Sequence, residues 1–523
     1  MISSIVHVAR LARAAFVFAR EGVFGIVDPT PFPPAAQLAL QLGRMIERPR
    51  SDAFLGRVAA ALQRLGPSYV KLGQFLATRP DVVGMAMARE LEALQDRLPP
   101  FPQAEAEAAI TAAFERPLQQ TYASFGPAVA AASIAQVHRA EVAQSSDHHS
   151  VAVKILRPNV AHSFKVDLDA FRYAARQMEA ISEEARRLRL SEIVSTLTRS
   201  VAMEMDLRLE AAALSEMAQN TAGDPDFRVP TVDWDRTSHN VLTMEWIDGT
   251  ALNDRGKLEA NHVDFVDLSR KIIQSFLRHS LRDGFFHADM HPGNLFIDDT
   301  GRLVAVDFGI MGRLGVKERR FLAEILYGFI TRDYHRVAEV HFEAGYVPPH
   351  HSVDNFAQAI RAIGEPIHNR TAQEISMARL LTLLFEVTAL FDMQTRPELL
   401  LLQKTMVVVE GVARSFDPRL DIWTTAEPVV REWIERNLGP IGKIEGAVSG
   451  ASDLGKLLGQ VPGIAGRAVM LLERMDALTR NGLQLSPDSI EALTRAEQRH
   501  TRWLTAGIWL IGIALVAAVL ILR

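Results

Sequence analysis

Residues 285–309 read FFHADMHPGNLFIDDTGRLVAVDFG, which predicts a polar loop followed by two short strands. Asp289 stands in the loop, Asn294 follows five residues later, and Asp307 follows Asp289 by 18. The intervening strand pair is long enough to bring both carboxyls back to one place. A second reading takes His287, Asp289 and His291 as ligands of a hydrolytic metal centre, because on a strand an H-x-D-x-H spacing puts all three on one face.

Upstream, Phe265, Leu268, Ile272, Phe276 and Leu277 recur at helical spacing over 264–283, with Gly284 as the C-cap. Strand-like runs lie near Val229–Trp234 and Asn240–Trp246, and Asp248-Gly249 then turns the chain into helices. A helical stretch covers about 161–218. Three strands are expected at Thr121–Phe125, Ile134–Val142 and Val151–Leu156, the last two joined by the loop QSSDHHS. The proline-rich LPPFP at 98–102 marks a boundary, and helices at 52–64 and 67–78 precede it, broken by Gly66-Pro67. Beyond Gly315 the pattern is helical to about 436, with LLTLLF and ALF at 380–391 read as core because Glu386 interrupts them.

The order of strand, small-residue loop, strand, lysine-bearing strand, glutamate-bearing helix, strand, His-x-Asp, Asn and Asp-Phe-Gly is that of a kinase-type nucleotide site. Lys154 in VAVKIL would hold the α/β-phosphates of ATP or ADP, and Glu210 would hold Lys154. Asp289 takes the position of the catalytic aspartate, and Asn294 and Asp307 those of Mg2+ ligands. This order accounts for residues that the histidine reading leaves unexplained, and His148, His149, His350 and His351 read as solvated loop residues. Two departures stand out. Ala130-Ala131-Ala132-Ser133 occupies the place of a glycine-rich phosphate loop, so nucleotide geometry should differ there. No activation-segment end follows Asp307-Phe308-Gly309, which argues against phosphorylation of proteins in trans.

The chain has 523 residues, with 57 Lys+Arg against 62 Asp+Glu, a net charge of −5. No general basic field is available for nucleic acid, so no nucleic-acid partner is expected. The absence of cysteine removes disulfides, thiol nucleophiles and Fe–S clusters. Mean hydropathy is +0.05, and much of its local excess lies in WLTAGIWLIGIALVAAVLIL, 503–522, a charge-free run long enough for a transmembrane helix. Arg495, Arg499 and Arg502 before it against Arg523 after it place the preceding chain in the cytoplasm. The N-terminal MISSIVHVARLARAAFVFAREG reads as an amphipathic helix on the membrane or on the fold, in preference to a transit peptide. The glycine-rich stretch 439–466 is either a linker or a membrane-surface hairpin.

KLGQFLATRPD with LEALQDRLPP at 71–100, AAASIAQVHRA at 130–140, VAVKILRP at 151–158, EMDLRLEAA at 204–212, HADMHPGN at 287–294 and VDFGIMGRL at 306–314 together resemble the UbiB-like atypical kinase family associated with ubiquinone biosynthesis. Met290 departs from the proline usual there. The resemblance implies an α+β, bilobal protein-kinase-like fold. It divides the chain into a helical N-terminal extension (1–100), an N-lobe (101–250), a helical C-lobe (251–436), a glycine-rich linker with helices (437–502) and the C-terminal transmembrane helix (503–522). By match of motif, Lys71 and Gln74 belong to a KxGQ element that in the family is thought to block phosphotransfer to proteins. Glu204 and Asp206 match its ExD partner, and backbone groups of Glu245 and Ile247 in the hinge would pair with adenine. On one regular helix, however, Glu204 and Asp206 would lie about 160° apart, so both could clasp Lys71 only through a local irregularity.

The expectation is therefore an atypical kinase or ATPase (phosphoryl transfer) with ATP or ADP and Mg2+, single-pass in the cell inner membrane with its catalytic part cytoplasmic. Expected partners are membrane lipid or quinone precursors, ubiquinone-biosynthesis enzymes and a second copy in a homodimer. The alternative is a nucleotide-sensing scaffold that organises those enzymes with little turnover.

Overall fold

The computed structural model describes residues 2–25, 34–47, 56–77, 79–83, 99–144, 147–181, 183–366 and 397–439, with isolated positions between 87 and 94 and between 387 and 393. The expected span at 503–522 and the glycine-rich stretch past Gly439 lie outside the described residues. Among the described residues no helix is long and apolar enough to cross a membrane.

The chain folds as a kinase-like α+β structure. Among the described residues, helices α1 (Ile2–Arg20), α2 (Pro34–Met45), α3 (Arg57–Leu65) and α4 (Pro67–Ala77) and a short turn at Pro80–Val83 precede α5 (Gln103–Phe114). The apolar side of α1 rests on the fold: Ala14 and Ala19 are buried, and Arg10 Nη1 lies 2.8 Å from Asp167 Oδ1 on α6 (Val160–Ile181). Gly66 separates α3 from α4 with φ +108, a conformation glycine adopts without Cβ strain, and Pro67 starts α4, where its missing N–H costs nothing.

Strands β1 (Ser124–Ala131), β2 (Ala135–Gln144), β3 (Asp147–Leu156) and β5 (Val241–Glu245) form an antiparallel sheet in the order β1-β2-β3-β5. Between β3 and β5 the expected long helix is several. Besides α6 they include α7 (Leu190–Glu204) and α8 (Leu207–Asn220), with a left-handed break at Arg189 and a second break at Asp206. The strand expected at 121–125 begins later, because Leu118–Thr121 is a helical turn, and β1 runs on to include Ala130 and Ala131. Where the QSSDHHS loop was expected, β2 and β3 stay paired as far as Gln144 and Asp147. The run near 229–234 gives only β4 (Phe227–Arg228) and a single bridge from Val232 to Met244. Pro230 lacks a ladder donor, and Asp233 caps a 3-10 turn over Trp234–Arg236.

The C-terminal part places α9 (Phe265–Arg278) at the core, with Leu268, Ile272, Phe276 and Leu277 buried on one face as their spacing predicts. A π-turn over His279–Asp283 follows and ends on Gly284 at φ +64, where a Cβ would sit 2.5 Å from the Leu314 carbonyl oxygen. This turn delivers β7 (Phe285–His287), which pairs with β10 (Met311–Arg313). Strands β8 (Leu295–Asp298) and β9 (Leu303–Ala305) join β6 (Gly249–Ala251) and, in parallel, β4 in the order β4-β9-β8-β6. Helices α10 (Val316–Thr331), α11 (Tyr334–Glu343), α12 (Val353–Gly364), α13 (Pro397–Phe416) and α14 (Ile422–Leu438) complete the described fold. Of the 380–391 stretch read as core, Val387 and Phe391 are buried, Leu390 is exposed, and 380–386 and 388–389 lie outside the described residues.

Candidate active site

Lys154 on β3 is buried, and its Nζ donates to Glu210 Oε1 at 2.7 Å and to Asp307 Oδ1 at 3.2 Å. Burial works against the ammonium, but Asp307 and Glu210 outweigh it and hold its pKa above the ordinary lysine range. Burial likewise pushes the Glu210 carboxyl up, with Lys154 countering only in part. Asp307 is resisted by burial yet drawn well below the usual carboxylate range by the Lys154 charge and the Gly309 amide. An ammonium has three donors; two are engaged here, which leaves one for a phosphate oxygen.

Two strand pairings converge on this cluster. Leu295 opposes Ala305 and the Asn294 carbonyl accepts from Val306 N at 3.0 Å, so Asn294 lies beside the residue that precedes Asp307. On the other side Met311 opposes His287 and Ala288 N donates to the Ile310 carbonyl at 3.0 Å, which carries Asp289 towards the same strand end. Asn294 Nδ2 donates to Asp289 Oδ2 at 3.3 Å and to its carbonyl at 3.2 Å. The donor set on offer is two carboxylates and an amide oxygen, the hard oxygen chemistry that suits Mg2+.

The histidine reading of this loop fails. His287 Nδ1 accepts the Asp289 amide at 3.0 Å, its ring is buried edge-on to Phe308, and burial lowers its pKa. His291 Nδ1 accepts the Gly293 amide, and its Nε2 lies 3.8 Å from Asp289 Oδ2. The expected strand ends at His287, so the three side chains do not share one strand face, and among the described residues they form no metal-binding group.

The alanine segment is the tip of the β1–β2 hairpin. Ala130 pairs with Val137 and Ala131 with Gln136, Ser133 is buried, and Ala132 N donates to the Ala135 carbonyl at 2.8 Å. Arg157 fixes the tip: its Nε and Nη2 donate to the Ala132 carbonyl at 3.1 and 2.9 Å, and Nη2 also reaches Pro99 O at 2.8 Å. Sequence spacing alone did not single out Arg157, although it stands only three residues past Lys154 in VAVKILRP.

In the hinge, the Glu245 amide donates to Thr231 O at 2.8 Å, and its carboxylate accepts from Arg228 Nη1 at 2.8 Å and Thr231 Oγ1 at 3.0 Å. The amide of Glu245 is therefore not a donor for a base, which removes one of the groups expected to pair with adenine. Ile247 is buried at the end of the same segment.

Lys71 on α4 meets Glu204 at the end of α7, Nζ to Oε2 2.5 Å, with both side chains largely buried. Gly73 lets α4 pack closely on its neighbours, because a Cβ there would lie 2.4 Å from Leu94 Cδ1 and 2.7 Å from Leu62 Cδ1. Gln74, half-buried, occupies the next turn of α4. The anticipated irregularity exists, since the helix breaks between Glu204 and Leu207, but Asp206 does not join the clasp. Its carboxylate caps α8 through Arg208 N at 3.1 Å and takes the Arg208 guanidinium at 2.9 and 2.7 Å, which lowers its pKa. Arg313 and Glu216, which sequence spacing did not single out, form a two-pronged pair at 2.7 and 2.5 Å that ties β10 to α8.

The ABC1 atypical kinase-like domain matches residues 93–341, and the UbiB helical domain matches 360–421. A probable protein kinase UbiB from Marinobacter nauticus is 38% identical over 442 residues, covering 83% of this chain and 80% of that protein. The solved Rv3197–erythromycin complex from Mycobacterium tuberculosis aligns with a TM-score of 0.51 at 23% identity, covering 69% of this chain and 90% of the other, a likeness of fold.

Proposed function

The chain belongs to the UbiB-like atypical kinase family, and from that premise we propose that it is an ATP-binding, Mg2+-dependent kinase or ATPase supporting ubiquinone biosynthesis. The observation that carries this is the Lys154 ammonium held by both Glu210 and Asp307. In the proposed reaction Lys154 turns its remaining donor to the phosphates, and the tip clamped by Arg157 covers them. Asp289, oriented by Asn294, accepts the proton of the attacking water or hydroxyl oxygen; the γ-phosphoryl passes to that oxygen and ADP leaves. Asp307 and Asn294 would hold magnesium, which when bound supplies charge neutralisation at the phosphates. The short run from Asp307 to the start of α10 at Val316 offers little platform for a protein substrate, which favours water or a small or lipid-linked acceptor. The charge-free run at 503–522 supports a single-pass anchor in the inner membrane with this site on the cytoplasmic face.

ATP turnover of the full chain in liposomes, compared with Asp307→Asn and with a chain ending before Trp503, tests the reading. Removing a charge that acts on the transferring phosphoryl should cost about 10²-fold or more. Turnover unchanged in Asp307→Asn would sink the catalytic assignment, and nucleotide binding with no turnover in any form would favour the nucleotide-sensing scaffold. Equal rates for the full and shortened chains, with and without liposomes, would reduce the anchor to a localising device.

A further inference from the structure

The turn between α11 and α12 reads Tyr346-Val347-Pro348-Pro349-His350-His351. Its prolines fix two φ angles, and His351 N donates to the Pro348 carbonyl at 3.2 Å, so the two imidazoles are presented from a constrained segment. Their ring centroids lie 4.1 Å apart. Facing them, 41 residues later, is Asp392. The His351 ring also packs 5.2 Å from Phe391, which is buried against Phe356, so one side of this corner is anchored in the core.

The Nε2 atoms of His350 and His351 lie 3.7 and 3.3 Å from the same oxygen, Asp392 Oδ2, and all three ligand atoms fall within 4.8 Å of one another. An ion bound about 2.0–2.1 Å from each of three tetrahedral donors would hold them roughly 3.4 Å apart. The two measured edges bracket that length. We propose that His350, His351 and Asp392 form a binding site for a divalent transition metal of the zinc class, separate from the phosphate cleft. Two imidazoles and one carboxylate select zinc, cobalt, nickel or copper over magnesium, whose preference is for oxygen. With His350 65% and Asp392 68% exposed, the fourth position opens to water or an added donor. Occupancy would pin the turn at 348–351 to the chain at 392 and so brace the helical corner.

The test uses tag-free full-length protein, purified through chelator and titrated with Co2+ alone by visible absorption and with Zn2+ alone by calorimetry. About one equivalent should bind, with ligand-field bands typical of four- or five-coordinate Co2+. His351→Ala and Asp392→Asn should each weaken binding by about tenfold or more. Zn2+ should raise the melting temperature of the parent and leave that of His350→Ala/His351→Ala/Asp392→Asn unchanged. Asp307→Asn and His148→Ala/His149→Ala should bind as the parent does, which separates this site from the nucleotide cleft and from the other vicinal histidine pair. Affinity that is unchanged in the triple variant, that follows either control instead, or that is absent in the parent would overturn the proposal. Far-UV circular dichroism shows whether each variant is folded before it is titrated.

Discussion

Asp224 shows how single charges hold the catalytic loop from behind. Its carboxylate takes Arg282 Nη1 at 2.6 Å and lies 3.4 Å from His279 Nε2, both on the π-turn that leads into β7 and Asp289. Burial would raise its pKa, but the His279 and Arg282 bonds prevail and hold it at about 2. A carboxyl depressed below its unfolded value of about 3.9 stabilises the fold above that pH, and the contribution disappears as pH falls towards the folded value. Denaturant midpoints should therefore drop between about pH 4 and pH 2 more steeply in the parent than in Asp224→Asn, which should be less stable at pH 7. Parallel slopes for the two proteins would remove Asp224 from this role. Legibility at this scale depended on whether a residue belonged to a motif. Lys154, Glu210 and Asp307 could be placed because their order along the chain encodes a shared site. Asp224 and Arg157 carry no such order, since a lone aspartate or arginine has the same local pattern whether it is solvated or buried across 58 residues of sequence.

At the scale of elements, the helix that supplies Glu210 must stay seated, and the structure fastens it from outside the cleft. Arg313 on β10 spans to Glu216 on α8, and its guanidinium lies 4.3 Å from the Phe285 ring centroid. Glu216 is six residues along α8 from Glu210, so a shift of β10 is transmitted to the partner of Lys154. Arg313→Glu and Glu216→Arg should each lower ATP turnover by about fivefold, the equivalent of roughly 1 kcal/mol for an exposed pair. The double reversal should restore most of it without changing KM for ATP. Singles that lose activity and a double that loses more would mean these residues act separately. Elements were legible where periodicity was strong, as in α9, and less so where a cap interrupts an apparently continuous pattern. The stretch 161–218 read as one helix because its apolar spacing continues through Asp206. That residue's own side chain caps α8 and ends the continuity, which in turn releases Glu204 to face Lys71.

Across the whole molecule, ion pairs tie the N-terminal helices to the kinase-like body. Arg10 meets Asp167 at one point, and Lys71 meets Glu204 at another. The resemblance in sequence directed attention to Lys71, whose helix is seated against Leu62 and Leu94 at Gly73, where a side chain would not fit. The run at 503–522 was legible only as composition, because an apolar run declares its length and charge but not its packing. The Lys71 pair has a consequence that can be measured without knowing the substrate. At 13% and 12% exposure, removing one partner leaves the other charge buried and uncompensated, a loss of about 3–5 kcal/mol, whereas replacing both with apolar residues is close to neutral. Lys71→Met and Glu204→Leu should each lower the midpoint of chemical denaturation sharply, and the double variant should recover most of the loss. If the double variant is instead as unstable as the sum of the singles, the two charges do not act as a pair, and the extension must be held to the body by its apolar contacts alone.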